Sequence, residues 1–237
     1  MMDRTLKAIS LLLSYPTAEM QDGMAHIGAV IEGDARLTAD LRADLQPLLT
    51  RLGQGDLYDV QEDYVMLFDR SRTLSLNLFE HVHGESRDRG GAMVSLMETY
   101  RAAGFEPATT ELPDHLPVLL EYLATRPAAE VTDVLQDAAH ILAAIGERLT
   151  RRDSLYAPIF PALVQLAHTQ ADTEAVAELL ATPDDDPNDL EALDAVWEEA
   201  EVTFGPDPNA GCPQVRDMLA QMDPKAPAKD RASHAAE

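Results

Sequence analysis

Cysteine is almost missing from this sequence: Cys212 is the only one in 237 residues. One thiol cannot build a disulfide framework, a zinc ribbon or a cysteine-ligated iron–sulfur cluster within one chain. Its scarcity suits a reducing cytosol. Positive charge is the second shortage, with 18 Lys and Arg against 42 Asp and Glu and a formal net charge of −24. Such a surface repels nucleic-acid phosphates and anionic lipid heads and attracts basic peptides. The same acidity also serves solubility alone. Long apolar runs are absent too, and none approaches the ~20 residues that span a bilayer. The start, "MMDRTLKAISLLLSYPTAEM", carries Arg4 and Lys7 ahead of an apolar run, as a signal peptide would. That run is broken by Ser10 and Ser14, stops at Pro16 and lacks a small-x-small cleavage site before Glu19. Leu6, Ile9 and Leu13 instead fall at helical spacing, which predicts a first core helix. The expectation is a soluble, cytoplasmic protein that binds no nucleic acid and inserts into no membrane.

Alternating β-branched runs between tight turns are also missing. So are Gly-x-Ser-x-Gly, His-Glu-x-x-His and a phosphate loop, since "GQGD" lacks both the spacing and the lysine. What is present is helical period. Met20, Met24, Ile27 and Ile31 repeat at four, three and four. Stripes follow from Leu37 to Leu52, Leu57 to Phe68, Met93 to Tyr100 and Leu116 to Leu123. A long helix is expected from Val131 through Leu149, then shorter ones over Ile159 to Leu166 and Val176 to Leu180. "SYP", "EGD", "AAGFEP" and "TPDDDPND" punctuate them. The fold class is therefore all-α, a single-domain helical bundle of roughly eight to ten helices over residues 1–204. Residues 205–237 read as a tail, partly or wholly disordered, because nothing larger than alanine follows Met222 among the apolar residues.

The chemically odd stretch is "LFEHVHGESRDRG", residues 78–90. His81 and His83 are two apart, so on a helix they point about 200° from each other and cannot share a metal. On an extended segment they would face the same way and Glu85 could join them, giving a site for zinc or iron in a small metalloenzyme. Arg87 and Arg89 oppose this by placing positive charge where a dication would sit, and Glu85–Arg89 has the spacing of an intrahelical pair. Catalysis lacks a nucleophile with a positioned base, so the chain reads as no enzyme. Two readings remain on the residues alone. One is a polar network at a bend, with Gly84 turning the backbone, Ser86 capping the next helix and Asp88 tying neighbours together. The other is a recognition surface for a basic, apolar peptide. A second constellation, "ELPDHLP", adds Glu111, Asp114 and His115 around two prolines and reads locally as a capped helix start.

Taken together, "YVMLFDRSRTLSLNLFEHVHGESRDRGGAMVSL", "ELPDHLPVLLEYLA" and "LDAVWEEAEVTF" resemble the NarJ family of respiratory nitrate reductase assembly chaperones, from Leu6 to about Phe204. Gly91 stands where the family pattern has glutamine, and Asn77 where it has leucine or histidine. The resemblance implies a cytoplasmic chaperone that binds the N-terminal segment of the catalytic α subunit. It keeps that apo-subunit ready for insertion of an iron–sulfur cluster and of the molybdenum cofactor, bis-molybdopterin guanine dinucleotide, before membrane attachment. No cofactor is expected to stay bound to the chaperone itself, and molybdenum cofactor delivery proteins are further candidate partners. A relative guarding the twin-arginine leader of another molybdoenzyme is the alternative. The partner-binding set expected on this basis places apolar contacts at Leu76, Leu78 and Phe79. The charged and polar members are Asp69, Arg70, Glu80, His81, His83, Glu85, Arg87, Asp88, Arg89, Glu111, Asp114 and His115.

Overall fold

The computed structural model describes residues 2–83 and 87–184, with the side chains of His83 and Arg87 outside the description. All of them fall within one compact unit, residues 1–190. The expected boundary at 204, the tail and the segment 193–204 lie outside the described residues, as do Gly84, Glu85 and Ser86. No helix among the described residues is long and apolar enough to cross a membrane.

Eleven α-helices occur among the described residues, a little more than the expected eight to ten. In order they are α1 (Arg4–Leu12), α2 (Ala18–Glu32), α3 (Ala39–Gln54), α4 (Leu57–Tyr64), α5 (Leu78–His83) and α6 (Arg87–Ala102), then α7 (Leu116–Leu123), α8 (Ala128–Asp137), α9 (Ala139–Arg151), α10 (Ile159–Leu166) and α11 (Thr173–Leu180). The starts are built from short polar side chains that accept from otherwise unpaired backbone N–H groups. Asp3 accepts from Thr5 and Leu6, Thr17 from Met20, Thr38 from Leu41 and Asp56 from Tyr58. Helix α4 runs into a π-helical turn, Val65–Asp69, and then a 3₁₀ turn, Arg72–Leu74. Helix α6 is followed by Gly104 at φ +73°, the left-handed conformation that glycine adopts without steric cost.

Helix α1 packs on both α7 and α2. Leu6, Ile9, Leu12 and Leu13 are fully buried, and they pack on Leu116, Leu120 and Leu123 of the antiparallel partner α7 and on α2. Burying each such leucine contributes about 1.5–3 kcal/mol. The α1–α7 pair is pinned by Asp3 N–H to Ala124 O at 2.6 Å and Ser10 Oγ to Pro117 O at 2.8 Å. The second layer is α9 with α10, where Ile141, Leu142, Ile145 and Leu149 meet Ile159, Phe160 and Leu163. The helix expected from Val131 through Leu149 is broken at Ala138, between α8 and α9. No glycine or proline marks this break. It comes from tertiary packing, since α8 turns aside to lie on α10 and is held there by Gln136 Nε2 donating to Ala167 O at 3.2 Å.

Candidate partner-binding site

The two sequence constellations meet in space. The segment before α5 runs alongside the segment before α7, joined by one isolated antiparallel bridge between Asn77 and His115. Leu116 N–H donates to Leu76 O at 2.8 Å and Leu78 N–H to Asp114 O at 3.2 Å. Leu76 and Leu78 therefore turn into the core, 3% and 5% exposed, and not toward a partner. Their spacing in "LSLNLF" reads as an apolar surface in one dimension, but in an extended segment alternate residues share a face, and here that face is the inner one. Phe79 is half-buried, and the exposed apolar side chains nearby in sequence are Val82, Val94 and Leu112.

Asp114 is 1% exposed. Its Oδ2 accepts from Phe79 N–H at 2.9 Å, so it caps the first turn of α5 from another part of the chain. Burial pushes its carboxyl above the usual carboxylate range, against the opposing pull of the Phe79 hydrogen bond and the Arg89 charge. An acid so enclosed cannot meet a partner's cation, which removes Asp114 from the docking set and makes it a structural anchor. His81 is equally committed. Its Nε2 lies 2.8 Å from Ser75 O, and burial pulls its pKa down, so the neutral ring donates Nε2–H to that carbonyl. That nitrogen is then unavailable to a metal. His83 lies two positions on in the same short helix. Glu80 pairs with Arg89 of α6 at 2.9 Å, tying α5 to α6. Tyr100 Oη donates to Pro113 O at 2.7 Å, tying α6 to the other segment. Asp88 is exposed at the start of α6.

The acids that remain accessible gather elsewhere. A cleft of about 400 Å³ opens between α1, the π turn and the start of α7, lined by Tyr15, Tyr64, Asp69, Glu111, His115 and Glu121 among others. Asp69 is pushed up from the usual carboxylate range by partial burial and then by the Glu111 charge. Two acids held together in this way favour a cationic neighbour, which would relieve their repulsion. His115 is held neutral by burial, and its Nδ1 is enclosed without a partner. Arg70 is exposed beside Asp69, its N–H closing the π turn onto Val65 O at 3.1 Å. Of the residues expected from sequence, Asp69, Glu111 and His115 thus converge on one cleft, whereas Leu76, Leu78, His81 and Asp114 build its support.

Sequence reasoning passed over Tyr15 and Glu121, which join the cleft only because α1 and α7 are neighbours. It also passed over Arg148, 2% exposed on the inner face of α9. A cation inside the stripe Ile141, Leu142, Ile145, Leu149 was the signal available.

The family model for the nitrate reductase delta subunit matches residues 34–162, a span that contains Asp69, Glu111, His115 and Glu121. The chain belongs to this family. It is 45% identical over 208 residues, 87% of each chain, to the nitrate reductase molybdenum cofactor assembly chaperone NarJ of Escherichia coli K12. It is 39% identical over 207 residues, 87% of this chain and 86% of that one, to NarW of the same strain, which bears the name of a probable chaperone of the same kind. The fold is also that of a chain assigned as a redox enzyme maturation protein from Archaeoglobus fulgidus. That match has a TM-score of 0.52 at 22% identity and covers 71% of this chain and 95% of that one. The all-α class and the resemblance to the NarJ family read from sequence both agree with these findings. NarJ and NarW carry the names of assembly chaperones and not of catalysts, in keeping with a chain that is no enzyme.

Proposed function

We propose that this chain is a dedicated assembly chaperone of respiratory nitrate reductase. It binds the apo catalytic α subunit through that subunit's N-terminal segment, before membrane attachment, and keeps it open to receive its iron–sulfur cluster and molybdenum cofactor. The cofactor is cargo for the partner and not a resident group of this chain. The observation that carries the reading is 45% identity, across 87% of both chains, to a protein named as such a chaperone.

The chemistry of the cleft supports the way the partner is held. Asp69 and Glu111 supply negative charge, Glu121 at the rim being already paired with Lys7 at 2.5 Å, and the half-exposed Tyr15 ring stands beside them with Val118. A basic, amphipathic segment satisfies both, placing a Lys or Arg among the carboxylates and an apolar side chain against the ring. The formal charge of −24 raises the encounter rate with such a segment at long range.

The test is capture from nitrate-grown anaerobic cells with the full-length chain as bait. The reading expects the α subunit of nitrate reductase, lacking its molybdenum cofactor, as the main prey. Capture of another molybdoenzyme with an export leader would shift the assignment to the twin-arginine alternative, and capture of neither would refute both.

A further inference from the structure

The Arg148 guanidinium is buried in α9 and reaches two separate parts of the chain. Nη1 donates to Thr73 O at 3.1 Å, in the 3₁₀ turn that leads into the site. Nη2 donates to Leu179 O at 2.6 Å and Thr182 O at 3.1 Å, and Nε donates to Asp184 Oδ1 at 2.9 Å. A buried cation left without a counter-charge is strongly unfavourable, and the carboxylate that balances this one comes from beyond the end of α11. Helix α11 itself buries no residue fully, so the Arg148 bonds add to its packing on α9 and to the contact of Leu179 with the core in fastening this segment.

We infer that Arg148 is a positioning residue for partner binding, clamping the 72–77 segment to α9 with the 179–184 segment as the other jaw. Thr73 lies two residues before Ser75, whose carbonyl receives the His81 N–H, and three before Leu76, whose carbonyl receives Leu116 N–H. Arg148 is also close enough to His81 for its charge to favour the neutral ring. A shift of the Thr73 carbonyl is therefore passed to the Asn77–His115 bridge and so to the wall of the cleft that His115 forms. The clamp makes residues 179–184 part of the binding unit although none of them lines the cleft. This rests on the reading above of the cleft as the partner's seat.

Lysine cannot replace the arginine here. Its single ammonium keeps the charge but cannot reach Thr73 O and Asp184 together in the forked geometry of a guanidinium. The test uses the full-length chain and two variants, Arg148→Lys and Asp184→Asn. The second removes the counter-charge but keeps an acceptor oxygen for the Nε–H on a side chain that is 31% exposed, where solvent limits the cost, and circular dichroism checks the fold of both variants before exchange is read. Hydrogen exchange is read at the amides of Leu78, Phe79 and Leu116, which donate across the bridge, and at Leu48 and Leu49 of α3, which are remote from it. The expected result is exchange about tenfold faster or more at the bridge amides, with α3 unchanged, as for a local opening. Binding of a synthetic peptide of the α subunit's N-terminal residues should weaken by about tenfold in Arg148→Lys at a temperature where the variant is fully folded. Equal acceleration at bridge and α3 amides would mean that Arg148 only adds global stability, and unchanged bridge amides would mean that it only holds α11. Either result overturns the inference. The exchange measurement needs no partner, so it judges Arg148 even if the peptide fails to bind the wild-type chain, a failure that would count against the proposed function alone.

Discussion

Asp114 Oδ2 accepts the backbone N–H of Phe79 at 2.9 Å across 35 residues of sequence. This bond joins the two stretches that carry the family resemblance, and it gives α5 the cap that its own preceding residue, Asn77, does not provide. Replacing Asp114 with Ala removes the carboxylate that accepts the Phe79 N–H. The expected cost is about 1–2 kcal/mol, the loss of a helix cap. Asp114→Asn retains an acceptor and should cost less than half of that. Urea denaturation of the two variants beside wild type measures the difference. Equal stability of all three would show that this bond contributes nothing.

Asp34 offers a pH test far from the cleft. Burial raises its carboxyl, but hydrogen bonds from Arg36 and Thr5, with the Arg36 charge, outweigh that and bring its pKa from 3.8 to about 2. A carboxyl whose folded pKa lies below its unfolded value contributes stability that is complete above about pH 4 and is lost as pH falls through about 2. Arg36 is 40% exposed, so solvent screens the pair. Asp34→Asn should therefore cost roughly 1–2 kcal/mol near neutral pH. Its melting temperature should merge with that of wild type as the pH approaches 2. A deficit that stays constant down to that pH would assign the loss to packing and not to charge.

Gly146 lets α9 lie close against Phe160 of α10. A Cβ at this position would lie 2.9 Å from the Phe160 Cβ, which cannot swing away because it is fixed to the backbone. Alanine ordinarily favours a helix interior over glycine by about 1 kcal/mol. Here the overlap should reverse the sign and make Gly146→Ala destabilising by about 1–3 kcal/mol. Chemical denaturation decides it, and a variant more stable than wild type would show that the two helices separate freely.

The helices were legible because their apolar stripes and polar caps are local properties. Met20 to Ile31 and Leu116 to Leu123 declare their buried faces by spacing, and Thr17 and Thr38 stand where caps belong. The chemistry of 78–90 and 111–117 was legible as composition, but its direction was not. Whether "LSLNLF" faces a partner or the core depends on the bridge to residues 114–116, a contact between distant segments that no periodicity encodes. For the same reason Asp114 read as a docking acid or a local cap, whereas it caps a different helix. Glu80 looked free but is engaged by Arg89. The break at Ala138 left no trace because nothing in its local sequence forbids a continuous helix. Arg148 was visible as a cation within an apolar stripe, yet its acceptors come from residues 73, 179, 182 and 184 and emerge only in three dimensions.

The most direct measurement is calorimetric binding of a synthetic peptide of the α subunit's N-terminal residues to the wild-type chain and to the double variant Asp69→Lys, Glu111→Lys. Both positions are exposed, so circular dichroism and melting should match wild type before binding is compared. With the cleft as the partner's seat, the double variant binds about tenfold more weakly or worse at low salt, and the gap narrows at high salt as the Debye length shrinks. Glu80→Gln serves as the control and should stay within about twofold of wild type, because that charge is already paired with Arg89. A folded double variant that binds as tightly as wild type, with no salt dependence in either, would contradict the acidic-cleft account.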